Sequence, residues 1–157
     1  MGALEIGAGQ INLQRGSIIS NGAMALTGEQ VDHRDARTVA GQLSINAGSL
    51  DNRGGSLAQS GQGATGVQVR GGLDNRGGAL ESNGTMTVQA AGVQNQKGRI
   101  VASGDLALST GALDNTEATL AAGGKLRLDS GDVDNTCLLY TSPSPRDATL
   151  SRMPSSA

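Results

Sequence analysis

A segment of eight residues that recurs about every 20 residues constrains this chain more than any other feature of its sequence. One clear copy is LDNRGGAL at Leu73–Leu80, and altered copies begin at Leu50, Val93, Leu113 and Val133. The starts of these copies are 23, 20, 20 and 20 residues apart. A fixed period of about 20–50 residues is typical of solenoids and other repeat architectures, whose units bury their apolar edges against their neighbours. The sequence therefore predicts a repeat protein.

Apolar residues and a glycine recur at fixed distances from the start of each copy. In the copy that begins at Leu113 they are Leu120, Gly124, Leu126 and Leu128, at offsets 7, 11, 13 and 15. Alternation of apolar and polar residues indicates a strand with one buried face, and no stretch sustains the three- and four-residue spacing of an amphipathic helix. We therefore predict an all-β chain whose coils of about 20 residues pair as parallel strands about 4.8 Å apart.

Two copies depart from the common length. The copy before Leu50 is one residue short, and the spacing predicts that Val39 is its first buried strand residue. The copy that begins at Leu50 is three residues too long, and we predict that the excess bulges out as a loop at residues 63–66. The closing strand of that copy would then bury Val67 and Val69.

Composition agrees with thin stacked layers and argues against several classes of function. The chain has 25 glycines, a single aromatic residue (Tyr140) and a net charge of −2. A thick globular core normally relies on aromatic residues for buried area. Without a basic stripe, nucleic-acid binding is not expected. No apolar run reaches the roughly 20 residues that span a bilayer, so no membrane-spanning segment is predicted, and no secretory signal is visible.

Stacking brings the asparagine of each copy into one column. We predict that this column is a structural turn ladder, in which amides bond from coil to coil and satisfy backbone groups of the turns. The alternative is an asparagine-lined binding strip, which requires the column to face solvent. His33 replaces asparagine in one copy, and we interpret it as a tolerated substitution rather than a ligand or base. The ladder residues are Asn52, Asn75, Asn95, Asn115 and Asn135.

A second column carries carboxylates next to the ladder. Carboxylates about 4.8 Å apart repel one another unless they are solvated or paired, and Arg34, Arg53 and Arg76 are the expected partners. A calcium-binding strip is the sharper hypothesis, but the dense Gly-Gly-x-Gly-x-Asp repeats of calcium-binding solenoids are missing. We therefore predict no metal site, no cofactor and no catalytic residue. The carboxylates are Asp32, Asp51, Asp74, Asp114 and Asp134.

The composition changes after residue 136. The only cysteine and all three prolines follow this point, whereas none of the 25 glycines does. The segment CLLYTSPSPRDATLSRMPSSA resembles a translated transposase sequencing adapter, because CLLYTS can be read from the adapter end TGTCTCTTATACACATCT. We predict two parts: a repeat domain at 1–136, and a non-native, disordered tail at 137–157 that cannot continue the coil. A genuine Pro/Ser linker is the alternative.

The segments LDNRGGSL, LDNRGGALESNGTMTV, VQNQKGRIVASGDLAL and LDNTEATLAAGGKLRL resemble the haemagglutinin repeats of filamentous haemagglutinin-type exoproteins. The resemblance covers residues 4–136. It implies a right-handed parallel β-helix in the shaft of a large, secreted or surface-exposed bacterial protein. It also implies export through an outer-membrane two-partner secretion transporter. Members of the family include adhesins, which would bind a receptor or glycan on a host or neighbouring cell, and carriers of contact-dependent growth inhibition toxins.

A polysaccharide-active enzyme and a leucine-rich repeat module are two alternative interpretations of the repeat. Polysaccharide-active enzymes also use parallel β-helices, but they need convergent carboxylates and basic residues, usually in a cleft built by long loops. The longest inserted loop, residues 61–66, has no acid, base or aromatic residue. A leucine-rich repeat has an overlapping period but spaces its leucines differently and more densely. The sequence therefore favours a non-catalytic structural module.

Overall fold

The computed structural model describes residues 3–135, 138–141 and 148–150 of the 157-residue chain. These residues form strands and turns without a helix, and the chain winds into a β-solenoid of about seven turns with about 20 residues per turn. The predicted all-β parallel solenoid is thereby confirmed, while its right-handed sense stays a prediction. The strands are β1 (Leu4–Asn12), β2 (Ser17–Asp32), β3 (Arg37–Asp51), β4 (Ser56–Gln59), β5 (Thr65–Val69), β6 (Gly72–Asp74), β7 (Ala79–Ser82), β8 (Met86–Gln94), β9 (Arg99–Ala102), β10 (Leu106–Asp114), β11 (Thr119–Ala122), β12 (Leu126–Asp134), β13 (Leu138–Thr141) and β14 (Ala148–Leu150).

Every strand pairs in parallel with the strand one coil away. The register between β8, β10 and β12 is a constant 20 residues, so that Met86, Leu106 and Leu126 lie side by side. The short strands β4, β7, β9 and β11 form a second stack on another side of the coil. The long strands β2 and β3 run through both stacks. Equal offsets in the sequence therefore become columns along the solenoid.

The core is a stack of aliphatic layers. In β12 the burial alternates, with Leu126 and Leu128 inside and Arg127 and Asp129 outside. The apolar anchors of interior coils are at most a few per cent exposed, for example Leu113 at 2% and Leu120 at 0%. Fully burying a leucine contributes about 1.5–3 kcal/mol. Each added coil therefore adds its own core layer.

Each coil turns a corner through a tight turn that starts at the ladder position. In one interior coil the amide of Gly78 donates to the carbonyl oxygen of Asn75 at 3.0 Å, and Gly77 has a φ of 64°. A positive φ at this turn position favours glycine, because a Cβ atom crowds the backbone there. Four other coils place a residue with a side chain at the equivalent position. They are Arg15, Asp35, Lys97 and Glu117, with φ between 53° and 61°.

The first buried residue of β3 is Thr38, so the prediction of Val39 is wrong. Thr38 pairs with Leu57 of the next coil and is 1% exposed, whereas Val39 lies on the outer side of the strand. This coil is one residue shorter further along its course. Ser20 pairs with Ala40 but Ala23 pairs with Gln42, so β3 has one residue fewer than β2 between these two pairs. The polar side chain of Thr38 therefore takes a core position.

The three extra residues of the long coil lie in two places rather than one. Thr65, not Val67, pairs with Met86, and two of the extra residues therefore precede it in the bend at 60–64. The third lies at residues 70–71, where the strand breaks between β5 and β6. The predicted loop thus exists, but Thr65 takes the inward position that was expected of Val67.

The bend at 60–64 is held by a buried glutamine. Gln59 is 2% exposed, and its Nε2 donates to the carbonyl oxygen of Gly63 at 2.6 Å. Its Oε1 accepts from the amide of Leu43 at 2.9 Å and from Thr65 Oγ1 at 2.6 Å. Because both ends of the buried amide are bonded, the insertion is accommodated without an orphaned polar group.

Two short segments after residue 136 continue the pairing. Strand β13 pairs with β11, and β14 pairs with β12, both in parallel. The expectation that this part of the chain cannot continue the coil is therefore wrong for these seven residues. The rest of 137–157 lies outside the described residues. The domain boundary at 136 and the adapter origin of the segment stay predictions.

Candidate functional site

The five repeat asparagines form one continuous ladder inside a corner of the solenoid. Four of them, Asn52, Asn75, Asn95 and Asn115, are 0% exposed, and Asn135 is half-buried. Each side-chain Nδ2 donates to the Oδ1 of the next asparagine, at 2.7, 2.7, 2.7 and 2.8 Å along the column. Because the column faces inward, it is not a binding strip on the surface.

The same amide groups also contact backbone carbonyl oxygens. In their own turns these belong to Gly55, 3.5 Å from Asn52 Nδ2, and to Gly78, 3.4 Å from Asn75 Nδ2. The second Nδ2 hydrogen of Asn52 is directed to the carbonyl oxygen of Ala79 at 3.1 Å, and that of Asn75 to Arg99 at 3.1 Å. Both acceptors belong to the following coil. Each of these two asparagines therefore bonds to backbone groups of the following coil as well as to its own turn, and so links two coils.

His33 occupies the first position of the ladder, and its bond to the next coil points the same way as those of the asparagines. Its Nδ1 lies 2.6 Å from Asn52 Oδ1, and its Nε2 lies 2.8 Å from Thr38 Oγ1. Asn52 Oδ1 can only accept, so the hydrogen of the imidazole lies on Nδ1 and Nε2 accepts from the threonine hydroxyl. In the coil before, Leu13 stands at the ladder position and offers no donor. The Oδ1 of an asparagine at position 33 would therefore find no hydrogen-bond donor at the ladder position of the preceding coil.

His33 and Thr38 depart from the repeat together. Four later coils, those that begin at Leu50, Leu73, Val93 and Leu113, place asparagine and an aliphatic residue at these two positions, as in Asn75 and Leu80. The hydroxyl of Thr38 supplies the partner that the second ring nitrogen needs, and both side chains are buried. The spacing of the sequence favoured Val39 as the core residue and so missed this pair. A polar residue five positions after the only histidine was the available signal.

Outside the ladder, arginines and carboxylates alternate in a charged strip. Arg34 bonds to Asp32 through two nitrogens, at 2.9 and 2.6 Å, and its Nε also approaches Asp51 of the next coil at 3.8 Å. Arg53 repeats this arrangement, with contacts to Asp51 at 2.7 Å and to Asp74 at 3.6 Å. Each of these two arginines therefore screens the carboxylates of two successive coils.

The strip changes the acidity of its carboxyl groups. The hydrogen bond from Arg34, above all other contributions, holds the pKa of Asp32 below its ordinary value. Burial raises the pKa of Asp74, but the hydrogen bonds and charge of Arg76, with the charge of Arg53, outweigh this and lower it overall. Both carboxylates are therefore ionised at neutral pH and act as paired charges rather than as proton donors.

The charged strip loses its arginines toward the C-terminal end. There Gln96 donates from Nε2 to Asp114 Oδ2 at 2.7 Å, and Thr116 bonds to the other oxygen of Asp114 at 2.7 Å. Neutral donors thus replace the guanidinium groups without leaving that carboxylate unbonded. The same position is filled by charged or neutral donors, which indicates a structural rather than a catalytic requirement.

A shallow groove of about 710 Å³ runs along the solenoid beside the charged strip. Small residues form part of its floor, and at Gly72 and Gly92 a Cβ atom would meet open space. Its polar wall is the strip itself, including Asp51 and Asp74, whose carboxylates are held by arginines. None of the described residues that line it is aromatic. Along this described lining, the groove therefore offers a repetitive surface without a convergent acid–base pair.

Two further findings bear on binding and location. In the described part of the chain, no three His, Cys, Asp or Glu side chains gather into a group that could hold a metal ion. No helix among the described residues is long and apolar enough to cross a membrane.

Comparison with known proteins identifies a family. The family model of the haemagglutinin repeat matches residues 1–54 and 38–130 of the chain. Neither a curated protein nor a solved structure matches it. The two matched ranges overlap and together cover the coils that contain most of the ladder.

Proposed function

The chain belongs to the haemagglutinin repeat family, and from this premise we propose that it is a structural, non-catalytic shaft segment of a large secreted or surface-exposed adhesin-type exoprotein. One observation carries the proposal: the same core layer, turn and ladder contact recur from coil to coil. A solenoid of this kind has no centre, because each coil contacts only its neighbours. Its length is therefore set by the number of coils.

The ladder suits a part that transmits load along its axis. Its amide bonds all point from one coil to the next and run along the same axis as the backbone bonds of the parallel sheets. Chains of hydrogen bonds that point the same way polarise and strengthen one another. The ladder bonds and the backbone bonds would together resist a force applied along the axis of the shaft.

Family membership supports a bacterial exoprotein that is exported through an outer-membrane two-partner secretion transporter and displayed at the cell surface. A receptor or glycan on a host or neighbouring cell is the partner that an adhesin of this type would bind. The stem of a contact-dependent growth inhibition toxin is the alternative within the same family. The gene that encodes the longer protein distinguishes the two, because a toxin carrier would encode a toxic domain at its far C-terminus.

A polysaccharide-active enzyme is the alternative from another class. The groove beside the charged strip is the place where such an activity would lie. Incubation of the chain with neutral and acidic polysaccharides should release no new reducing ends and no unsaturated uronates. Release of either product, lost when Asp51 and Asp74 are both changed to asparagine, would contradict the shaft proposal.

The shaft proposal is tested by removing one coil. Deletion of residues 93–112 joins Gly92 to Leu113 and removes 20 residues, so that every following offset keeps its register. We expect a folded solenoid with an unchanged circular dichroism spectrum and a rod about 4.8 Å shorter in small-angle scattering. Deletion of residues 93–102 is the matched control, because half a coil places core residues on the outer face. Unfolding of the whole-coil variant would show that coils are not interchangeable units of length.

A further inference from the structure

The only histidine of the chain is buried at the start of the asparagine ladder. It is 0% exposed, and both of its ring nitrogens are bonded, to Asn52 and to Thr38. The structure of the shaft does not require a titratable group here, since five other coils use asparagine. The imidazole is thus a proton-sensitive element inside an otherwise insensitive ladder.

We propose that the corner at His33 is a pH-sensitive junction, at which protonation of the imidazole loosens the N-terminal coils β1–β3 while the later coils stay closed. This inference goes beyond the shaft function, and it holds whether the shaft carries an adhesin or a toxin.

Protonation disturbs the bond between His33 and Thr38. The neutral ring accepts the hydroxyl hydrogen of Thr38 at Nε2, whereas the charged ring carries a hydrogen on both nitrogens. Thr38 Oγ1 must then turn from donor to acceptor, and its own hydrogen has to find another acceptor at a site that is 1% exposed. A buried hydroxyl without an acceptor and a buried charge both destabilise the folded state.

The charges around the ring do not compensate for this cost. Asp32 attracts the protonated ring, but its carboxylate is already bonded twice by Arg34. On the coil above, Arg53 bonds to Asp51 in the same way. The charged residues of the three stacked turns are Arg15 below, Asp32, Arg34 and Asp35 in the same turn, and Asp51 and Arg53 above.

The direction of the pH dependence follows from burial. Burial is the largest influence on the ring and lowers the pKa of His33 below its ordinary value of 6.5, against the opposing effects of Asn52 and Asp32. A histidine with a lowered pKa contributes its full stability above the unfolded pKa. That contribution is lost as pH falls from about 6.5 toward the folded pKa, because the unfolded state then binds more protons.

The effect should stay local because the chain is a solenoid. Coils that contact only their neighbours can open at one end while the rest remain paired. Among the described strands, β1 pairs only with β2, and β2 pairs only with β1 and β3, so these strands form the end that opens. The strands β8, β10 and β12 serve as an internal reference.

Two measurements on the unmodified chain test the junction. The first is an NMR titration of the ring, in which the single histidine needs no assignment, and we expect a pKa below 6.5. The second is hydrogen exchange between pH 7 and pH 5, corrected for intrinsic rates. Protection in β1–β3 should fall by up to about tenfold per pH unit, while protection in β8–β12 stays constant. A pKa at or above 6.5, or an equal change in both regions, would overturn the proposal.

The double variant His33→Asn with Thr38→Leu provides the matched control. It installs the pair found in another coil as Asn75 and Leu80, and it removes the only histidine, the one kind of side chain whose ordinary pKa lies in this range. Its exchange pattern should not change between pH 7 and pH 5. The same acid-induced loss in the variant would assign the effect to another group and refute the role of His33. The measurements on the unmodified chain decide the matter if the variant does not fold.

Discussion

Individual buried polar residues in this solenoid each complete several hydrogen bonds. Asn75 receives a hydrogen bond from Asn52, donates one to Asn95 and donates another to a backbone carbonyl. No aliphatic residue of similar size offers both a donor and an acceptor. Removing one member therefore orphans groups on the coils at both sides.

Asn75→Ala should lower the free energy of unfolding by about 2–4 kcal/mol, because it leaves buried partners unbonded and opens a cavity. Chemical denaturation followed by circular dichroism measures the change. Asn46→Ala is the control, since Asn46 lies exposed on β3, and it should shift stability by less than about 0.5 kcal/mol. Equal effects at the two positions would contradict the structural role of the ladder.

Glu117→Gly should stabilise the chain by about 0.5–1 kcal/mol. Glu117 has a φ of 53°, a conformation that costs a residue with a side chain about 1–2 kcal/mol and glycine almost nothing. The greater flexibility of glycine in the unfolded chain offsets part of the gain.

Glu117→Ala separates conformation from charge, because it removes the carboxylate and keeps the Cβ atom. We expect a rise in the midpoint of thermal unfolding for the glycine variant and none for the alanine variant. If both rise equally, removal of the charge rather than relief of the turn explains the result.

Between coils, the charged strip joins strand ends through exposed side chains. Arg53 bonds to Asp51 and reaches Asp74, but its own side chain is 42% exposed. Exposed ion pairs contribute only about 0–1 kcal/mol each, and salt screens them. The strip therefore prevents repulsion between stacked carboxylates more than it holds the coils together.

Arg34→Gln should raise the pKa of Asp32 toward its ordinary value of 3.8, because it removes the guanidinium that holds it down. In the unmodified chain the contribution of Asp32 is present above about pH 3.8 and lost as pH falls through the lowered folded pKa. NMR titration of the carboxyl carbon measures the shift directly. Arg70→Gln removes an exposed bridge to Glu29 and should leave Asp32 unchanged. An unchanged pKa in Arg34→Gln would contradict the assigned cause.

The regular strands could be predicted from spacing because their register is a constant 20 residues, as between Leu106 and Leu126. The two irregular coils could not. In one of them the pattern favoured the apolar Val39, yet Thr38 is buried because it bonds to His33. In the other, Thr65 enters the core because Gln59 and Ser82 bond to its hydroxyl. Alternating apolar residues define a strand face, but they do not reveal that distant polar side chains satisfy each other.

On the sides of the solenoid, side chains cover the backbone. At the end formed by β1, one strand edge is unpaired among the described residues. Strand β1 pairs with β2 alone, so one of its edges presents backbone groups without a strand partner among the described residues. The strand LEIGAGQIN carries one charge and no proline or lysine, which are the usual protections of an edge. Leu4 at this end is 37% exposed, whereas its partner Met24 is 1% exposed.

We therefore expect the 157-residue chain to self-associate through β1 as its concentration rises. An unpaired edge can bond to a second copy, and the apolar layer behind it adds buried area. Leu4→Lys places a charge at that edge and should shift the association to higher concentration in sedimentation velocity. Val101→Lys is the control, because Val101 lies on the outward face of β9, a strand that is paired on both sides. A chain that stays monomeric at every concentration would contradict the expectation. Dispersal by Val101→Lys but not by Leu4→Lys would instead place the contact on the side of the solenoid, where stacking cannot extend the shaft.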